Sequence, residues 1–152
     1  MTRLGKQKPL YSFFLNPYAD SRFTRCPKCE AKTHQRKLPL VIHVDPLNPV
    51  SINYTCRYCP GCDLLIVHKD RLEKLLAAVL QEHNPELVGH EYLVIGTLDR
   101  PIWAKGVQGQ LSIREMVDNL HDFKEVLVFK PAHYGWVPKE EISRKGSQKP
   151  SR

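Results

Sequence analysis

The chain has 152 residues, with 23 Lys+Arg against 16 Asp+Glu, 41% apolar residues and a formal net charge of +7. That composition excludes a disordered, collagen-like or fibrous chain, and the length suits one domain with a core of its own. The longest unbroken apolar run, Leu75 to Leu80, has six residues, far short of the roughly 20 that a membrane span needs.

Residues 1–37 hold nine Lys/Arg against two acids, Asp20 and Glu30. Residues 38–62 balance, 63–100 come to −3, 101–137 balance again, and the stretch from Pro138 onward adds +3. The excess is therefore terminal. Residues 1–21 read as a basic, aromatic arm. Its apolar patch, Tyr11 to Leu15, is broken at Asn16-Pro17, so no signal peptide is expected and the expected location is the cytoplasm.

The next segment opens on a C-x2-C turn, Cys26-Pro27-Lys28-Cys29-Glu30. Leu38, Leu40, Ile42 and Val44 then alternate with their neighbours as a strand does, and Asp45-Pro46-Leu47-Asn48-Pro49 is dense in turn formers. Val50, Ile52 and Tyr54 alternate in a second strand, making a hairpin that returns the chain to Cys59-Pro60-Gly61-Cys62-Asp63. Leu64-Leu65-Ile66-Val67 reads as a third strand.

Five cysteines compete for the four corners of a tetrahedral thiolate site. The turns at 26–30 and 59–63 share a proline after the first cysteine and an acid after the second. That parallel favours Cys26, Cys29, Cys59 and Cys62 as ligands. Cys56 continues the apolar register of Val50, Ile52 and Tyr54, so it reads as a small core residue and stands as the alternative ligand. It precedes Cys59 by three residues as Phe23 precedes Cys26, and both are expected beneath their turns. His34 and His68 are nearby substitutes.

Over residues 22–68 the chain resembles the zinc-ribbon group of folds, in which two such knuckles grip one zinc at the end of a small antiparallel sheet. The resemblance rests on the four cysteines with Pro27 and Pro60. It implies one structural Zn²⁺ and no specific activity. Here 29 residues separate Cys29 from Cys59, more than in a compact ribbon, and Glu30 and Asp63 stand where glycine is usual.

A helix is expected over 69–85, capped by Asp70 with Glu73 three residues on, carrying Leu72, Leu75, Leu76 and Val79 at helical spacing and ended by Asn84-Pro85. Residues 86–139 read as a small lobe. It comprises strands at Tyr92–Leu98 and 101–105, a loop at Gly106 and Gly109, a helix after the S-x-x-E box Ser112–Glu115, and a strand at 126–129. An irregular aromatic stretch follows at 132–138. Residues 140–152 read as a flexible basic tail. The expected class is α+β: an N-terminal ribbon with a three-stranded antiparallel sheet packed with a helix, plus a small C-terminal α/β lobe.

No nucleophile elbow, P-loop, dinucleotide fingerprint or H-E-x-x-H motif is present. A four-thiolate zinc site leaves no open position for water, so the zinc is expected to be structural and no small-molecule substrate is inferred. The leading expectation is binding of nucleic acid, RNA before DNA, through Arg22, Arg25, Lys28, Lys32, Arg36 and Lys37. If buried, Phe13, Phe14 and Phe23 leave only the charge to carry that reading. The first alternative is a zinc-stabilised adaptor for a protein partner, anchored by Trp103, Tyr134 and Trp136. The second is a dithiol redox protein using Cys59 and Cys62.

Overall fold

The computed structural model describes residues 5–46, 48–107, 112–132 and 135–138. In chain order these form β1 (Ser12–Asn16), β2 (His34–Val44), β3 (Asn48–Cys59), β4 (Leu64–His68), α1 (Lys69–His83), a 3-10 turn (Pro85–Leu87), β5 (Tyr92–Thr97), α2 (Arg100–Val107), α3 (Ile113–Asn119), β6 (His121–Asp122), β7 (Val126–Leu127), β8 (Phe129–Ala132) and β9 (Gly135–Pro138). The expected tail at 140–152, Tyr134 and Gly109 lie outside the described residues.

The hairpin expected between the two cysteine turns is the centre of the sheet. β2 and β3 pair antiparallel from His34↔Tyr58 to Val44↔Asn48, and β4 pairs antiparallel with the end of β3 through Arg57↔Ile66 and Cys59↔Leu64. These three strands do not stand alone as the ribbon resemblance implied. They occupy the middle of a seven-stranded sheet ordered β6-β5-β2-β3-β4-β1-β7. β5 adds antiparallel to β2, while β1, from the segment read as an arm, adds parallel to β4 through Ser12↔Leu64 to Asn16↔His68. The physical reason is burial on both faces. Phe13 and Phe14 are adjacent, point to opposite sides of the strand and are both buried, which only a strand covered on both faces allows.

The sheet curls until its two edges share one segment. β6 and β7 end the strand order yet are separated only by residues 123–125. His121 pairs with Thr97 of β5 and also bridges Gln7. Further along, the Lys124 N–H donates to the Tyr11 carbonyl at 2.6 Å and the Phe13 N–H to the Glu125 carbonyl at 2.9 Å. Phe13 stacks on Phe123 across this seam, ring centroids 4.4 Å apart.

The inner face holds the main core, including Phe13, Leu40, Ile42, Val44, Ile52, Cys56, Leu65, Val67 and Val94, against Leu72, Leu76 and Leu80 of α1. Burying each such leucine stabilises by roughly 1.5–3 kcal/mol. The helix starts at Lys69 as expected, but its cap lies two residues earlier than read. His68, not Asp70, is its cap, with Nδ1 accepting from the Arg71 N–H at 3.4 Å, and Asp70 falls in the first turn, where a negative charge suits the helix dipole. The capping box at Ser112 and Glu115 forms as expected.

Two further expectations differ. Residues 101–105 lie in α2 rather than a strand: two Asp99-carbonyl bonds, from the Ile102 and Trp103 N–H groups, start a helical turn there. Of the aromatic stretch at 132–138, Ala132 ends β8 and Gly135–Pro138 form β9, which pairs antiparallel with β8. On the outer face, Val41, Leu98 and Leu120 pack with Ile102 and Met116 of these short helices. A separate outer cluster of Phe14, Phe23, Leu64, Ile66 and Phe129 sits beside Cys26 and Cys59.

Candidate metal centre and its basic flank

The first knuckle is a tight loop closed on itself. An antiparallel bridge, Arg25↔Lys32, forms its neck. The Cys26 N–H donates to the Ala31 carbonyl and the Glu30 N–H to the Cys26 carbonyl, both at 2.8 Å. The second knuckle is the β3–β4 turn. Glu30 and Asp63, where the ribbon pattern has glycine, have φ of +66° and +52°, so both turns adopt the left-handed conformation that glycine takes most readily.

These loops bring Cys26, Cys29, Cys59 and Cys62 together, their four sulfurs all within 4.8 Å of one another. The Cys29 and Cys59 sulfurs are 3.5 Å apart and those of Cys26 and Cys62 are 3.9 Å apart. A tetrahedral zinc with bonds of about 2.3 Å separates its sulfurs by about 3.8 Å. Both the donor set and the spacing therefore suit one metal ion. Strand parity explains why Cys56 is elsewhere. Three residues before Cys59 on the same strand, it points to the inner face and is buried in the main core. Burial there pushes its thiol up to about 12, far from a ready ligand. Of the two positions expected beneath the turns, Phe23 packs beside the cluster and Cys56 does not.

The electrostatics of the cluster follow from exposure. Cys26 and Cys59 are buried, Cys62 is half-buried and Cys29 is exposed. The Ala31 N–H directed at its sulfur, helped by the Cys59 and Cys62 thiols, holds Cys29 down to about 7. Burial pushes Cys26 and Cys62 up. The Lys28 N–H donates to the Cys26 sulfur at 3.3 Å, the arrangement that stabilises a ligating thiolate. His34 and His68 are not among the grouped side chains. His68 instead caps α1, and its Nε2 lies 3.1 Å from the Ala19 carbonyl.

One positioning residue escaped the sequence reading. Arg57 donates from Nε to the Thr33 hydroxyl at 3.1 Å and from Nη2 to the Thr33 carbonyl at 3.0 Å. Thr33 in turn donates to the Phe23 carbonyl at 2.6 Å. This chain fixes the base of the first knuckle to β3. The only available signal was parity: Arg57 and Cys59, two apart on one strand, share a face.

Arg22, Arg25, Lys28, Lys32, Arg36 and Lys37 are all exposed. They lie on the first knuckle and the opening half of β2, which follow one another in the chain. Lys28 is 3.8 Å from Glu125, and Arg25 donates to the Glu30 carbonyl at 3.3 Å. The Arg36 guanidinium sits over the Tyr58 ring, its carbon 4.2 Å from the centroid. Phe13, Phe14 and Phe23 are buried, so the aromatic half of the N-terminal pattern is core and the charged half remains outside.

A separate cleft of about 410 Å³ opens between β1, α1, β7 and the start of β5, with Leu15, Lys69, Glu73, His90 and Tyr92 in its lining. Within it Lys69 and the Tyr92 hydroxyl both donate to Glu73, at 2.7 and 2.8 Å. No helix among the described residues is long and apolar enough to cross a membrane. No family model, curated protein or solved structure matches the chain.

Proposed function

We propose that this is a non-catalytic protein that holds one structural zinc ion on Cys26, Cys29, Cys59 and Cys62 and binds nucleic acid through the basic segment beside it. The observation that carries the reading is the placement of six exposed cations on and next to a knuckle whose sulfurs lie 3.5 and 3.9 Å from those of the other. Four thiolates fill the tetrahedron, so the ion shapes the loop and activates no water. The cations sit on a loop and a strand rather than on one face of a helix fit for a major groove. That favours RNA, or other single strands, over sequence-specific duplex DNA. Five free cysteines suit a reducing compartment such as the cytoplasm.

The dithiol reading has less support, since Cys59 and Cys62 are followed by β4 instead of a helix N-terminus and each faces a sulfur of the other knuckle. The adaptor reading draws on the exposed Leu93 and Val126 at the rim of the cleft. Trp103 is half-buried, and the side chains of Tyr134 and Trp136 lie outside the described residues.

The test begins with metal analysis of protein purified without chelator, expected to give one zinc per chain. Binding of that protein to single-stranded RNA and to duplex DNA is then measured across a salt series. The expected outcome is log affinity falling linearly with log salt, by about 0.7 per phosphate contacted on a single strand. No binding of either at low salt removes the nucleic-acid reading and leaves the adaptor.

A further inference from the structure

Arg36 belongs to a constellation that phosphate binding alone does not explain. Besides lying over Tyr58, it donates through Nη1 to the Tyr11 hydroxyl at 3.1 Å. Tyr11 meets Tyr58 edge-on, centroids 5.8 Å apart. The Tyr58 hydroxyl donates to Asp63 at 2.6 Å, and the other oxygen of that carboxylate is 3.4 Å from the Lys124 ammonium. Asp63 directly follows Cys62. A planar cation is thus held over an aromatic ring and tethered by Tyr11, while the ring itself is tied to the second knuckle through Asp63.

A guanidinium that serves only to attract phosphate gains nothing from being held over a ring, because phosphates approach its edge. Held over the ring and exposed, it offers a planar group to an incoming base, and nucleobases stack on arginine planes as they do on aromatic rings. Lys37 follows it on the opposite face of β2, and Arg25 and Lys32 bridge across the neck of the first knuckle; all three are exposed cations of the same segment. Resting on the nucleic-acid reading above, we propose that the outer face of Arg36, backed by Tyr58, is a stacking platform for one unpaired nucleobase, while the neighbouring cations hold the flanking phosphates. In a duplex the bases are already stacked on each other and cannot reach it, so the platform selects single strands.

The experiment uses the zinc-loaded full chain with a labelled single strand, the same strand carrying abasic sites throughout, and the matching duplex. Stacking is worth about 1–3 kcal/mol per base, so the abasic strand is expected to bind between about five- and 160-fold more weakly than the intact strand at an unchanged salt slope. Arg36→Lys keeps the charge and loses the plane; it should lower single-strand affinity by a similar factor and leave duplex affinity alone. Lys37→Gln should instead weaken both and reduce the salt slope by about one contact. If intact and abasic strands bind equally, or folded Arg36→Lys matches the parent on single strands, the platform is overturned while the basic flank stands. Should no nucleic acid bind at low salt, the broader reading falls and the platform with it.

Discussion

At the scale of single residues, the closure of the sheet turns on an atom that is missing. A Cβ built on Gly96 would lie 2.2 Å from the His121 carbonyl oxygen and 2.9 Å from its carbon. Those are backbone atoms of β6 and cannot rotate away. Gly96→Ala must therefore push the seam apart, and a cost of about 3 kcal/mol or more is expected, read as a lowered midpoint in urea unfolding. A cost below about 1 kcal/mol would show that the seam carries little of the stability. A glycine inside an otherwise apolar strand pattern signals close backbone approach, so the position was legible although the partner was not. Cys56 illustrates the opposite case. Period-two alternation alone separates it from Cys59, and the inner face is where the structure places it.

Elements were legible where their signal is local. The β2–β3 hairpin, α1 and the capped α3 all rest on periodicity or capping chemistry within a dozen residues. Residues 101–105 misled because Ile102 and Trp103 suit a strand as well as a short helix, and the carbonyl of Asp99 decides between them. On α1, Glu73 receives hydrogen bonds from Lys69 first and Tyr92 second, which hold its carboxyl below the usual range. A carboxyl depressed in the folded state contributes stability that is fully present above its unfolded value near pH 4.3 and is lost as pH falls through the folded value. The pair is partly exposed, so less than about 1 kcal/mol is at stake. Thermal melts of Glu73→Gln should fall below those of the parent at about pH 6 and converge with them by about pH 3. A gap that stays constant across that range would assign the difference to packing.

At the scale of the whole molecule, the paired cysteine turns located the four side chains that could hold a metal, while the zinc-ribbon resemblance missed the architecture. The parallel β1–β4 pairing and the seam join residues more than fifty and a hundred positions apart, and no local pattern encodes such contacts. The same wrap gives the cysteine cluster a long reach. Lys28 of the first knuckle faces Glu125, Lys124 faces Asp63 of the second, and the Ser12 N–H donates to the Asp63 carbonyl at 2.8 Å. Both knuckles thus lean on the segment that closes the sheet. A zinc finger has little core and unfolds without its ion, whereas here the inner face and α1 bury a core on the other side of the sheet. Removing zinc with a chelator under reducing conditions should therefore melt part of the protein. In hydrogen exchange, the amides of Cys26, Glu30, Ser12 and Phe13 should lose protection by about tenfold or more, the loss of about 1.4 kcal/mol of local stability. Those of Leu40 to Val44 and Leu72 to Leu80 should keep theirs. Uniform loss would make the ion a global folding element, and no loss would detach it from the seam. Only the graded pattern fits a metal that fastens the closing segment of a sheet already held by its own core.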